Sequence, residues 1–116
     1  ARTAAHCLNL LWPGPAMKAS AVNDMSIQRR HYFLSGSVQG VGLRWRAKNI
    51  ADMLSITGWV RNLYDERVEM EIQGTEKDLD MFISKLGTQH FIHIDAMQCT
   101  EITPEPSEHD FEIVGE

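Results

Sequence analysis

The segment "RVEMEIQ", residues 67–73, alternates without interruption. Val68, Met70 and Ile72 face one way, and Arg67, Glu69, Glu71 and Gln73 face the other, so the segment predicts a strand with one apolar and one polar face. Such a strand needs neighbours for its main-chain groups and a cover for its apolar side. Both are available nearby. "TGWVRNL" reads as a strand joined to it by "YDE", a link short enough for a hairpin. "RRHYFLSGSV" reads as an earlier strand, with Tyr32, Leu34, Gly36 and Val38 on one face. From Arg44 the period changes, and Ala47, Ile50, Ala51 and Leu54 form a helical stripe. "TEKD" offers a helix start, with Thr75 at the cap and Asp78 three residues on, and Leu79, Phe82, Ile83 and Leu86 as the buried stripe before Gly87. A further strand is expected within Phe91 to Ile102, and a short one near Phe111 to Val114. The order is βαββαβ with a short extra C-terminal strand. This is the α+β, ferredoxin-like sandwich: an antiparallel sheet with both helices on one face. The fold carries many unrelated functions and decides none of them.

The rest of the composition sets limits. The 116 residues suit one domain, and residues 27–116 are expected to form it. Residues 1–26 contain a brief apolar run broken by Pro13, Gly14 and Pro15, too short for a signal peptide. They are expected to be a disordered leader or an artificial extension, with Met25 a plausible native start. Cys7 and Cys99 are the only cysteines and lie far apart, so neither a disulfide framework nor a cysteine zinc site is expected. That usage suits a reducing, cytoplasmic location. His90 and His93 lack a third ligand nearby, and no metal is expected. A net charge of −5 argues against a protein that grips nucleic acid by its phosphates, and no apolar stretch is long enough to span a membrane.

The stretch "SGSVQGVGLRWRA" carries the chemistry. Gly36, Gly40 and Gly42 fall within residues 35–47, and a helix opens at Arg44. Glycine admits positive φ and close approach of main chain to a ligand. A loop of this kind turns N–H groups inward as a nest, to which the first helical turn adds donors and the positive end of its dipole. Arg44 stands where the loop meets the helix, and its guanidinium can give two parallel hydrogen bonds to phosphoryl oxygens. The third glycine of a dinucleotide fingerprint is missing. In "GWVRNLYD", Asn62 lies near a strand end, where its amide can hold a water through both proton and lone pair, or can simply form the turn. Trp59 and Val60 read as packing residues and Arg61 as a solvated one.

Together these stretches resemble the acylphosphatases. The family signature, V-Q-G-V-x-F-R followed about a helix later by G-W-V-x-N, appears here as Val38, Gln39, Gly40, Val41, Gly42, Leu43, Arg44 and then Gly58, Trp59, Val60, Arg61, Asn62. The closing "DFEIV" matches as well, so the resemblance covers about residues 28–116. It implies a cytosolic hydrolase of small-molecule acyl phosphates with no cofactor and no metal. It implies that Arg44 binds the phosphate with main-chain amides of Gln39, Gly40, Val41, Gly42, Leu43 and Arg44, and that Asn62 positions the attacking water. A monomer is expected because no exposed apolar patch is evident in the sequence. Leu43 departs from the usual phenylalanine, and Glu66 replaces a glycine that often follows the hairpin aspartate. A positive φ at Glu66 would cost about 1 kcal/mol, so another turn geometry, or Asp65 in the left-handed region, is an alternative. His31, His90, His93 and His109 have no expected role and read as surface residues. Asp65 and the carboxylates of the alternating strand are likewise expected to be solvated.

Other classes remain open at this point. The same fold binds RNA through aromatics on its central strands, but alternation sends Tyr32 and Phe33 to opposite faces. A non-catalytic anion-binding or regulatory module would keep the same loop, and acylphosphatase-like modules occur at the head of hydrogenase-maturation proteins. The absence of zinc-finger cysteines before Glu116 favours the free enzyme. Acetyl phosphate, carbamoyl phosphate and 1,3-bisphosphoglycerate are candidate substrates.

Overall fold

The computed structural model describes Leu10–Leu11 and residues 26–115 of the chain. The elements are β1 (Leu10–Leu11), β2 (Ile27–Ser37), α1 (Leu43–Leu54), β3 (Thr57–Asn62), β4 (Val68–Thr75), α2 (Glu76–Gly87), β5 (His93–Ile102) and β6 (Phe111–Ile113). They form a six-stranded sheet in the order β1-β5-β2-β4-β3-β6. Central β2 runs antiparallel to both β4 and β5, as the sandwich requires. Two features differ from the sequence reading. β6 joins β3 in parallel, so the sheet is mixed at that edge. Leu10–Leu11, within the expected leader, add a two-residue strand against Met97 and Ala96 of β5; apart from Ser26, the rest of that leader lies outside the described residues.

One face of the sheet is apolar because the alternation is in phase on every long strand. Tyr32, Leu34, Val60, Val68, Met70 and Ile72 are all buried there. α1 covers them with Leu43, Ala47, Ile50 and Ala51, and α2 with Leu79, Phe82, Ile83 and Leu86. Thr75 caps α2 as expected, its side chain accepting from the Asp78 N–H at 3.2 Å. Arg30 also lies on this face. It is buried because its guanidinium donates to Asp80 of α2 at 3.0 Å and to the Tyr32 hydroxyl at 3.4 Å.

The opposite face is less solvated than its polar residues suggested. Glu69 is held by His31 at 2.7 Å and Arg61 at 2.8 Å. Burial alone would raise the Glu69 carboxyl, but these hydrogen bonds outweigh it and hold the group below its ordinary value. The expectation of a surface His31 and a solvated Glu69 therefore fails, because β2, β3 and β4 bring the side chains together, while Arg61 stays partly solvated as expected and gains an ion pair. Arg29 pairs with Glu71 at 2.8 Å and with Glu108 at 2.7 Å, which fastens the β5–β6 connection across the sheet. Gln73 adds hydrogen bonds with the main chain of Glu105 at 3.0 and 2.7 Å. Cys99 on β5 is disulfide-bonded, although the two distant cysteines gave no expectation of a disulfide framework, and its partner lies outside the described residues.

The β3–β4 hairpin keeps the geometry that favours glycine. Glu66 itself takes φ 72°, rather than Asp65. Asp65 instead accepts from the Arg67 N–H at 3.1 Å and pairs with its side chain at 2.8 Å. The Arg67 N–H, more than its guanidinium, holds the Asp65 carboxyl below its ordinary value. Glu66→Gly is expected to stabilise the protein by ~0.5–1 kcal/mol, because relief of the left-handed strain exceeds glycine's extra unfolded-state entropy. A higher urea midpoint at constant slope is the measurement that checks this.

Candidate active site

β2 ends at Ser37 and α1 opens at Leu43, so residues 38–42 carry the chain from sheet to helix. Gly40 and Gly42 adopt φ 72° and 80° in this crossing. Each would cost a side-chain-bearing residue ~1–2 kcal/mol there. Gly42 is the N-cap of α1 and offers no capping side chain, and no acidic residue occupies the first turn. The first helical hydrogen bond is that from the Arg46 N–H to Gly42 O, at 3.0 Å. None of the main-chain N–H groups from Gln39 to Trp45 donates to a partner among the described residues. The chain thus leaves a run of donors at a positive helix end with nothing of its own to neutralise them.

The loop is braced from the side. Gln39 donates through Nε2 to Leu63 O at 2.7 Å and Arg67 O at 2.9 Å. One glutamine thereby ties the crossing to both arms of the β3–β4 hairpin, at whose base Asn62 sits. The result is a pocket of about 220 Å³ lined by Val38, Gly40, Gly42, Leu43, Arg44, Trp45, Asn62 and Ile113. Arg44 makes no ion pair or hydrogen bond to any described residue. Asn62 Oδ1 is buried and has no hydrogen-bond partner. Thr57 Oγ1 is likewise buried and unpaired, but Thr57 does not line the pocket. A buried, unpaired carbonyl oxygen costs roughly 1–3 kcal/mol of desolvation, a cost that no described residue offsets at Asn62.

Charge distinguishes this pocket from a larger concavity elsewhere on the protein. Among the described residues, Arg44 is the only charged one in the pocket's lining. The larger concavity, about 340 Å³, is lined in part by Glu108, Asp110 and Glu112. Three carboxylates repel a phosphate, whereas an unpaired guanidinium beside free N–H groups attracts one.

The family profile described as Acylphosphatase matches residues 30–113. The chain belongs to the acylphosphatase family. An acylphosphatase of Koribacter versatilis (strain Ellin345) is 32% identical over 102 residues, which are 87% of this chain and 92% of the relative. The crystal structure of acylphosphatase from Bacillus subtilis superposes with a TM-score of 0.69 at 33% identity, over 77% of this chain and 99% of that one. Full-length HypF in a phosphate- and nucleotide-bound form superposes equally well, TM-score 0.69 at 33% identity, but only 12% of that chain is matched. As an acylphosphatase-family protein the chain is a hydrolase acting on acid anhydrides.

Of the residues singled out in the sequence, Gly40, Gly42, Leu43, Arg44 and Asn62 line the one pocket. Leu43, in place of the usual aromatic, is buried and keeps the apolar anchor. Gln39 and Val41 do not line it: Gln39 is the brace, and Val41 packs against the core and lines a separate concavity with Arg46 and His90. The sequence reading missed Val38, Trp45 and Ile113 in the pocket wall. Trp45 left one signal: it is a large apolar residue in α1 that falls off the buried stripe of Ala47, Ile50 and Ala51.

Proposed function

We propose that this acylphosphatase-family protein cleaves the carboxyl–phosphate bond of acyl phosphates, with Arg44 and the N–H groups of the Gln39–Arg44 loop holding the phosphoryl oxygens and Asn62 orienting the attacking water. An acyl phosphate is a mixed anhydride whose leaving group is a carboxylate, stable without a proton at neutral pH. Catalysis then needs no general acid. It reduces to placing a water in line with phosphorus and offsetting charge on the phosphoryl oxygens. The Asn62 carbonyl accepts one proton of the water and so aims a lone pair at phosphorus, but an amide is too weak a base to take that proton. As the new P–O bond forms, the bond to the carboxylate breaks, and the water's proton passes to a phosphoryl oxygen or to the departing carboxylate. Carboxylate and inorganic phosphate leave.

The observation that carries this reading is the meeting at one small pocket of the unpaired Arg44 guanidinium, the undonated loop N–H groups and the Asn62 side chain. The purified chain is expected to release inorganic phosphate from benzoyl phosphate equally well with and without EDTA. Release no faster than in buffer, with phosphate still bound, would mean a non-catalytic anion-binding module.

A further inference from the structure

The phosphate-binding elements occupy only part of the pocket. Among the described residues its remaining wall is Val38, Leu43, Trp45 and Ile113, four apolar side chains from the crossing after β2, from α1 and from β6. Val38 and Leu43 are core residues, but Trp45 is 63% exposed and Ile113 38% exposed. The two sit on different elements and share this pocket, so the large apolar surface they leave open borders the anion cradle. Both stand on regular elements. Trp45 is in the first turn of α1. Ile113 pairs with Val60 in the parallel β3–β6 ladder, and Lys48 of α1 reaches across to Phe111 O at 3.0 Å.

We propose that Trp45 and Ile113 form the acyl subsite, and that the protein selects acyl phosphates whose acyl group is uncharged and either aromatic or bulky and apolar. This rests on the functional reading above and names the substrate class for it. The phosphoryl group takes the Arg44 end of the pocket, because that is where the cation and the N–H groups are. The acyl substituent then extends along the wall that is left. An indole face and a branched aliphatic side chain attract a ring or a branched chain by burying apolar area and, for a ring, by aromatic contact. A methyl group, as in acetyl phosphate, is too small to cover either. An acyl group with its own phosphate or carboxylate finds no second cation among the described residues of the lining, since Arg44 is already committed. Of the small metabolic acyl phosphates, neither acetyl phosphate nor 1,3-bisphosphoglycerate matches this wall.

The test compares kcat/KM on benzoyl phosphate, acetyl phosphate and 1,3-bisphosphoglycerate for wild type, Trp45→Ala, Trp45→Phe and Ile113→Lys. Wild type is expected to favour benzoyl phosphate over both others by tenfold or more. Trp45→Ala should lower the benzoyl-to-acetyl ratio about tenfold, chiefly through KM, and Trp45→Phe should restore most of it. Ile113→Lys, which puts a cation on the wall, should raise the 1,3-bisphosphoglycerate-to-benzoyl ratio roughly threefold or more. Benzoyl-to-acetyl ratios unchanged to within about twofold in the Trp45 variants overturn the subsite while leaving the hydrolytic reading intact. Equal losses on all substrates overturn it too, by making Trp45 a support of the loop. Absence of turnover on every substrate by the wild type removes the hydrolytic reading and the subsite with it.

Discussion

Arg44→Gln is expected to lower kcat/KM on benzoyl phosphate by about a thousandfold or more, the equivalent of ~4 kcal/mol of transition-state stabilisation. Glutamine keeps the length and some hydrogen-bonding capacity but loses the charge and the paired donors. Inorganic phosphate, as a competitive inhibitor, should bind about ten- to a hundredfold more weakly, the range expected for hydrogen bonds to a charged group. The fold should not notice. Arg44 pairs with no described residue, so the melting temperature is expected to stay where it was. Asn62→Ala separates the two roles. Turnover should fall about a hundred- to a thousandfold while phosphate binds as before, because the water and not the anion has lost its partner. Stability should hold or rise, since the substitution removes a buried carbonyl oxygen that has no partner in the protein. An Asn62→Ala enzyme with near-normal turnover sinks the water-positioning role. An Arg44→Gln enzyme with unchanged phosphate affinity sinks the cradle.

What could be read from the chain beforehand was whatever local chemistry decides. The period-two pattern of Val68, Met70 and Ile72, the Thr75 cap and the left-handed demand of Gly40 and Gly42 each depend on a few adjacent residues. The structure places them as that chemistry requires. Arg44 and Asn62 were legible as candidates from residue type and from their place at element ends. What escaped depends on contacts between residues far apart in the chain. Gln39 reads as a loop amide, yet its side chain spans to Leu63 and Arg67, more than twenty residues on. Arg29 and Glu108 meet only once the sheet has closed. Ile113 enters the pocket wall because β6 docks in parallel on β3, a pairing that a three-residue strand cannot announce. The misreading of Glu69 as solvated has the same origin: its partners come from two other strands.

Gly58→Ala should do more damage than any substitution in the loop, although it changes one hydrogen to a methyl group. Gly58 opens the second stretch of the signature, "GWVRN", and holds φ 143° inside β3. It is flanked on both sides: opposite Ile72 of β4, and beside Phe111 of β6, with its own N–H donating to Asp110 O at 3.1 Å. A β-carbon placed there overlaps Glu71 O and lies 2.8 Å from Glu71 C, both main-chain atoms. No side-chain rotation relieves that overlap; β3 and β4 must part or the strand must change its path. Either course breaks ladder hydrogen bonds and opens the core at Val60 and Ile72, so the cost is expected to exceed ~4 kcal/mol, a large share of a domain's total stability. Melting should fall by about 20 °C, or the protein should fail to accumulate folded. Gly40→Ala and Gly42→Ala are the controls. A β-carbon at either position meets nothing within 4 Å, so each variant bears only the cost of its positive φ, ~1–2 kcal/mol. The three variants therefore separate two reasons for glycine. In the loop the missing side chain leaves the main chain free to bend and to face an anion. In β3 it lets two strands approach closely enough to hold Asn62 at the pocket. A Gly58→Ala protein as stable as the loop variants would mean that β3 and β4 can move apart at little cost, and that the position of Asn62 does not depend on their contact.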